Sequence, residues 1–367
     1  MNVYFIPTYS DENDYLNNIT NGLIANGVNV LSEKSKGKTK AIFESILSAV
    51  KHDEYIVHFN WIENKVKSRC FKDYINFIII KIWIGILRWF KAKICWTMHN
   101  KVPHNRCKND MTADFYSWFL PKCDMILVHC CESEKILRES YNYNGLILNV
   151  PHGNYCNNYH DTVDYKNISA GQFLYFGAVS KYKNVPILIE SFERVLNQYP
   201  FAKLRICGRC RDAQLDEEIC SIVNETKNIE YVNDFLSQEE LDEELKTCCA
   251  VVLPYDKESM LNSGSAIMSM SRGRAIIIPD FGYISDIKDE DFILAYDYTD
   301  KDSHINNLAD TWIKAINESM VNSDYWEIIG KRAYKFADEN LDWNNICKEI
   351  CESYDYILTS KWGKKDE

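Results

Sequence analysis

The sequence predicts an α/β protein built from two doubly wound domains in tandem, and three observations carry that expectation. Short apolar runs alternate with amphipathic helical stretches from the N-terminus to about residue 296. The alternation is broken once, by a polar stretch rich in Asn and Tyr at about 154–170 that reads as a linker. A length of 367 residues suits two domains of common size, each with its own core.

In the first series, residues 3–7 read as a strand and 11–26 as a helix with Leu16, Ile19, Leu23 and Ile24 on one face. Gly27 then leads to a strand at 28–31. A helix near 39–50 and strands at 55–59, 94–98, 125–128 and 146–150 continue the pattern. Strands joined by helices form a parallel sheet covered on both faces, which binds ligands at the carboxyl ends of its strands. Three of the loops expected there are polar and aromatic: His58-Phe-Asn-Trp61, His99-Asn-Lys-Val-Pro-His104 and His152-Gly-Asn-Tyr155. Together they hold half of the eight histidines.

The second series runs through strands at 174–176, 203–207 and 229–232 and helices at 185–198, 215–226 and 238–247. An apolar run then ends in Leu253-Pro-Tyr255. Asn262 or Ser263 can cap a helix running to about Ser271, and 275–279 reads as the next strand. Ser263, Gly264 and Ser265 thus fall at a helix N-terminus, where unpaired N–H groups and the helix dipole favour an anion such as a diphosphate. A strand at 292–296 and helices at 305–322, 323–339 and 343–358 complete the chain.

Composition is that of a globular protein, with 46% hydrophobic and 26% charged residues. A net charge of −11 argues against nucleic acid binding through bulk electrostatics. The N-terminus lacks the basic segment and long apolar core of a signal peptide, so a cytoplasmic location is expected. The fourteen cysteines are scattered and read as reduced, buried residues. Cys207-Gly-Arg-Cys210 has metal or redox spacing but no second pair, and no metal site is expected. The most hydrophobic stretch is 74–90. From Glu63 to Cys95, eight basic residues (65, 67, 69, 72, 81, 88, 91 and 93) stand against two acids. The stretch is too short and too basic at its centre to span a bilayer. It fits equally an interfacial helix at the inner face of a cell membrane, with contact through 74–93, or a helix buried beside the sheet.

These motifs, in this order, resemble bacterial family 4 glycosyltransferases of GT-B fold, in the subset with a Leu-Pro-Tyr and Ser-Gly donor-site motif. The resemblance runs from about Pro7 to Asp286. It rests on His58 with Trp61, Thr97-Met-His99-Asn100 with Pro103-His104, and Pro151-His152-Gly153 in the first domain. In the second it rests on Gly177 and Lys183 after the first strand, Asp234-Phe235 before a helix, and Leu253-Pro-Tyr255 with Ser263-Gly264-Ser265. It implies two Rossmann-like domains, 1–156 on the acceptor side and 157–342 for the nucleotide sugar, facing a central cleft. A last helix at 343–367 would pack on the first domain.

By the same resemblance, the leaving diphosphate would lie on Gly177, Lys183, Ser263, Gly264 and Ser265, with the nucleotide near Phe235 and Glu258. His99 would act with Lys183 in catalysis. His58, Trp61, Asn100, His104 and His152 would face the sugar or acceptor. The implied activity is metal-independent transfer, with retention, from a nucleotide-diphosphate sugar to a glycan or polyprenyl-linked acceptor in bacterial surface polysaccharide assembly. The nucleotide sugar would be a substrate, and no cofactor is expected. Two features depart from the pattern. Ser180 stands where relatives carry Arg, with Lys181 adjacent. Glu258 matches the first of a usual glutamate pair, but the second position falls on Ala266 by spacing or Met268 by motif. A nucleotide-sugar epimerase of the same fold and a non-catalytic sugar-binding protein are the alternative readings.

Overall fold

The structure, a computed structural model, describes residues 1–7, 14–31, 38–66, 68–101, 111–158, 163, 165 and 167–360. It divides into two compact units, Met1–Gly153 with Asp342–Glu367, and Asn154–Leu341. The first contains β1 (Asn2–Ile6), α1 (Asp14–Ala25), β2 (Asn29–Val30), α2 (Lys38–Lys51), β3 (Tyr55–Asn60) and α3 (Phe71–Trp89). It continues with β4 (Lys93–Thr97), α4 (Thr112–Phe119), β5 (Met125–Val128), α5 (Cys131–Lys135) and β6 (Leu146–Asn149). All pairings are parallel, in the order β2-β1-β3-β4-β5-β6. The strand order reverses beside β1, so the ends of β1 and β3 flank the crevice where such sheets take ligands.

The second unit runs β7 (Gln172–Phe176), α6 (Val185–Gln198), β8 (Lys203–Cys207), α7 (Ala213–Glu225), β9 (Ile229–Val232) and α8 (Gln238–Thr247). It continues with β10 (Ala250–Val252), α9 (Gly264–Ser271), β11 (Ala275–Pro279), α10 (Gly282–Ile287), β12 (Ile293–Tyr296), α11 (Lys301–Val321) and α12 (Tyr325–Asn340). Its sheet is also parallel, in the order β12-β11-β10-β7-β8-β9, with the reversal between β7 and β10. The central strands read as unbroken apolar runs because both faces are covered. Every residue of β10 and β11 is buried. Caps written in the sequence start the helices: Ser237 with Glu240 forms a capping box on α8, and Asp300 with Ser303 forms one on α11.

The last helix, α13 (Trp343–Thr359), belongs to the first unit and packs along α1. Trp343, Ile346, Cys347, Ile350 and Tyr354 join Leu16, Ile19 and Leu23 in one core. The helices approach closely at Gly22, where an added Cβ would lie 2.5 Å from the Cys347 Sγ. An exposed helical Gly→Ala change normally stabilises, by about 1 kcal/mol. Gly22→Ala should do the opposite and cost about 1–3 kcal/mol through overpacking. Thermal melts of Gly22→Ala, Cys347→Ala and the double variant test this. Non-additive recovery in the double variant is the expected result, and a wild-type midpoint for Gly22→Ala would contradict it.

Candidate active site

The reversal point of the second unit brings together three segments that are far apart in sequence. Gly177 follows β7 with φ 116, a conformation open to glycine, and a Cβ there would lie 3.1 Å from the Ser265 Oγ. A Cβ on Gly208 would fall 1.8 Å from the Gly177 carbonyl oxygen, so the chain after β8 is pressed against the same turn. Ser263 caps α9, its Oγ accepting from the Ala266 N–H at 3.2 Å. The Ser265 hydroxyl donates to the Phe176 carbonyl at 3.3 Å, and the Asp256 N–H to the Tyr182 carbonyl at 2.8 Å. These bonds tie the first turn of α9 to the end of β7, and the loop after β10 to the Lys181–Lys183 turn.

The set of amides at α9 differs from the sequence expectation. The Ser263 N–H donates to the Asn262 Oδ1 at 2.8 Å, so it is already taken. The N–H groups of Gly264 and Ser265 have no acceptor among the described residues. Other donors nearby are also unspent. The Asn262 Nδ2, the Ser180 Oγ and the hydroxyl of the fully buried Tyr255 make no hydrogen bond there. Burial raises the Tyr255 phenol to about 12, and Ser265 and Ser263 lie near enough to oppose the rise without completing a bond. Lys183 holds its Nζ 3.4 Å from the centre of the Tyr255 ring and makes no ion pair among the described residues. Burial pulls its pKa down to about 8. Sequence reasoning missed Tyr255, although the Leu253-Pro-Tyr255 motif marked it, and Ser180 entered only as the place of an absent arginine.

Lys181, adjacent to that position, pairs with Asp212 at the start of α7, 3.4 Å away, and is therefore committed elsewhere. At the ends of β8 and β9, Phe235 is half exposed, with the Arg209 guanidinium 5.4 Å from its ring. Arg209 pairs in turn with Asp234 at 2.5 Å. Glu258 is exposed, and its N–H donates to the Asp256 Oδ1 at 3.2 Å. Met268 lies in the second turn of α9, with no acid in its place. Cys207 and Cys210 are free thiols, and burial raises Cys207 to about 11, the reverse of a reactive thiolate. Among the described residues, no group of His, Cys, Asp or Glu could hold a metal ion.

In the first unit the strand ends carry an aromatic and histidine cluster centred on Tyr15. Rings of Trp61, His99, His129, His152 and Trp343 lie 5.0–6.1 Å from it. Trp61 takes a left-handed backbone, φ 50, rare for so bulky a residue, and stacks on His99 at 4.2 Å. The His99 Nε2 bonds the Asn60 Oδ1 at 3.0 Å. With that oxygen accepting, the proton sits on Nε2 and the Nδ1 lone pair is left for a ligand. The Asn60 Nδ2, buried and unpartnered, offers a donor beside it. Burial, reinforced by His129 and His152, holds the His99 pKa well below the ordinary imidazole range. Asn100 is buried next to it.

His152 is buried, with Nδ1 on its neighbour's carbonyl, Gly153, at 2.8 Å. His58 is placed differently from the loop that the sequence implied. It lies inside β3, fully buried, bonded to the Tyr354 hydroxyl and, at 2.7 Å, to the Thr97 Oγ1. Both ring nitrogens are spent in the core, so it ties β3 to β4 and α13. His104 lies outside the described residues. Tyr15, His129 and Trp343 were missed. His129 directly follows β5, so the rule that singled out the other loops would have found it.

Residues 170–316 match the family model described as glycosyl transferases group 1. A GDP-mannose:glycolipid 4-beta-D-mannosyltransferase of Xanthomonas campestris pv. campestris is 28% identical over 130 residues, 35% of this chain. The match spans 36% of that relative's length. A sucrose-phosphate synthase from Thermosynechococcus elongatus superposes with a TM-score of 0.70 over 98% of this chain and 99% of its own, at 13% identity. Anabaena HepE in complex with UDP and glucose gives 0.63 over 96% and 99%, at 12% identity. At such identities the likeness is one of fold.

The buried histidines make the first unit acid-sensitive. Burial lowers His58 and His152 to about 3 and His129 to about 4, whereas an unfolded imidazole titrates near 6.5. Between about pH 4 and 6.5 the unfolded chain therefore binds more protons than the folded one, and stability falls as pH is lowered through that window. The melting midpoint should drop from pH 7.5 to pH 5, and more gently in His129→Gln. A flat midpoint over that range would contradict the neutral cluster.

Proposed function

We propose, from the premise that residues 170–316 belong to the glycosyl transferases group 1 family and that the chain has the GT-B fold of GT4-like enzymes, that this protein is a glycosyltransferase. It would move a sugar from a nucleotide-diphosphate donor held by the second unit to a hydroxyl of a glycan or lipid-linked acceptor. One observation carries the reading: at the start of α9, unspent donors gather. Two backbone N–H groups, the Asn262 amide, the Tyr255 and Ser180 hydroxyls and the Lys183 ammonium all await negative charge. A helix N-terminus adds the positive end of its dipole.

In the mechanism that follows, the bond between the sugar's anomeric carbon and the diphosphate oxygen breaks, and charge builds on that oxygen. Gly264 and Ser265 are already oriented toward it by the cap of α9, so stabilisation costs no reorganisation. Lys183 supplies a full charge, and a bound diphosphate would raise its pKa above the unliganded value of about 8, keeping it protonated. Phe235 and Arg209 offer the surface for a nucleobase, by stacking and by cation contact. Neutral His99 would accept a hydrogen bond through Nδ1 from a sugar or acceptor hydroxyl, with Trp61, Asn100 and His152 shaping that side. Retention of anomeric configuration is the course the family resemblance implies, and the anomeric proton coupling of the product reads it directly.

The glycolipid in the relative's name supports a lipid-linked acceptor, and with it bacterial surface polysaccharide assembly at the inner face of the membrane. Peripheral contact through 74–93 fits such a substrate. The test is a panel of nucleoside diphosphates scored by thermal stabilisation, followed by turnover with the matching nucleotide sugar. A ligand at 100 times its Kd raises stability by about 2.7 kcal/mol, readily seen as a midpoint shift. Lys183→Ala should lose most of that shift and lower turnover by about two to three powers of ten, as loss of one oxyanion-type donor does. No stabilisation by any nucleotide, or wild-type turnover in a folded Lys183→Ala variant, would overturn the reading.

A further inference from the structure

The helix α3 buries Phe77, Ile80, Trp83, Ile84 and Leu87 on one face, which completes its packing against the first unit. Its opposite face is also apolar. Phe71, Tyr74, Ile75, Ile78, Ile79, Ile82 and Trp89 recur at helical spacing and are 38–84% exposed. Packed beside it, α2 presents a second such row, Phe43, Leu47 and Val50, at 39–62% exposure. Two adjacent helices with outward apolar rows are the kind of exposed surface that marks an interaction site. The row on α3 is about 27 Å long at 1.5 Å per residue. Among the described residues no helix is long and apolar enough to cross a membrane.

The charges around this face limit what covers it. Of the four basic residues within 74–93, namely Lys81, Arg88, Lys91 and Lys93, three are engaged within the unit. Arg88 and Lys93 both pair with Asp124, at 2.5 and 3.7 Å. Lys81 lies 4.2 Å over the Phe77 ring and 5.6 Å from that of Trp118. Lys72 and Lys91 are exposed and make no ion pair among the described residues. The only acid of α3, Asp73, is taken up by the N–H and hydroxyl of Ser68 at 2.9 and 3.0 Å. The face is thus apolar in its middle, aromatic at both ends, fringed by lysine and without a free acid on α3.

We propose that α2 and α3 form one surface that inserts shallowly into the headgroup and acyl boundary of an anionic bilayer, with the apolar rows supplying most of the attraction and the lysines the preference for anionic lipid. Aromatic side chains at the ends of α3, Phe71 and Tyr74 at one and Trp89 and Phe90 at the other, suit the interface level of such a surface. The proposal stands on exposure and charge in the first unit. It does not depend on the donor site or on glycosyl transfer.

The experiment is cosedimentation of the purified full chain with vesicles, either of phosphatidylcholine alone or with one quarter phosphatidylglycerol, at low salt and in 0.5 M NaCl. Binding to the mixed vesicles should survive high salt in large part, because the Debye length shrinks while apolar burial does not. Ile79→Asn with Ile82→Asn, and separately Phe43→Ser with Leu47→Ser, should each weaken binding at least tenfold. Lys72→Gln with Lys91→Gln should weaken it only on anionic vesicles at low salt. All six positions are exposed, Leu47 least at 39%, so unchanged far-UV circular dichroism and melting are expected. Nucleotide-induced stabilisation should also be unchanged, which separates this test from that of the donor site. Three results would each overturn the proposal: no sedimentation with either vesicle; binding abolished by salt with the apolar variants as the wild type; or a dimer in solution that the apolar variants dissociate, which would assign the face to a second copy.

Discussion

The second unit depends on one close approach, that of the turn after β7 to the first turn of α9. Gly177 allows it by its positive φ, and Gly208 permits the neighbouring strand end to press against the same turn. Ser265 then anchors α9 through the Phe176 carbonyl while leaving its own N–H unspent. A buried polar group without a partner costs about 1–3 kcal/mol. The Tyr255 hydroxyl, the Ser180 Oγ and the Asn262 Nδ2 are such groups, whereas the Gly264 N–H lies at the surface. Two helix-terminal amides and an ammonium stand beside them, the setting that the proposed function would fill with an anion.

The first unit solves a different problem. Its strand ends are crowded with imidazoles, which burial and mutual proximity hold neutral. Neutral imidazole both donates and accepts. His129 shows the arrangement: Nδ1 donates to the Val150 carbonyl at 2.9 Å, and Nε2 takes the Tyr15 hydroxyl at 3.2 Å. His99 takes the opposite tautomer, with Nε2–H on the Asn60 Oδ1 and Nδ1 left over. Such a cluster offers donors, acceptors and aromatic faces together, which under the proposed function would suit a sugar or acceptor hydroxyl.

Much of the fold was legible because strands buried on both faces announce themselves as apolar runs, and because a cap such as Ser263 is a local signal; the Asp300 cap was overlooked, and α11 begins four residues before its expected start at 305. The motif at Ser263, Gly264 and Ser265 was found for the same reason. What escaped required knowledge of partners. That Asn262 takes the Ser263 amide, that Lys181 is committed to Asp212, and that Arg88 and Lys93 share Asp124 are facts of side-chain direction. His58 shows the limit in another way. Its spacing from Trp61 matched the family pattern, yet strand alternation turns its side chain into the core, where Tyr354 comes from a helix almost 300 residues away in sequence. The hydrophobic content of 74–90 was plain, but only the exposure of its outer row decides which face is buried.

The central claim is that a nucleoside diphosphate is held by the start of α9. The most direct measurement is a crystal structure of the full chain grown with the nucleoside diphosphate that stabilises it most. The account predicts β-phosphate oxygens at about 2.7–3.2 Å from the Gly264 and Ser265 nitrogens, with Lys183 Nζ turned from the Tyr255 ring toward the same oxygens. A diphosphate bound elsewhere, with both amides still facing solvent, would contradict it.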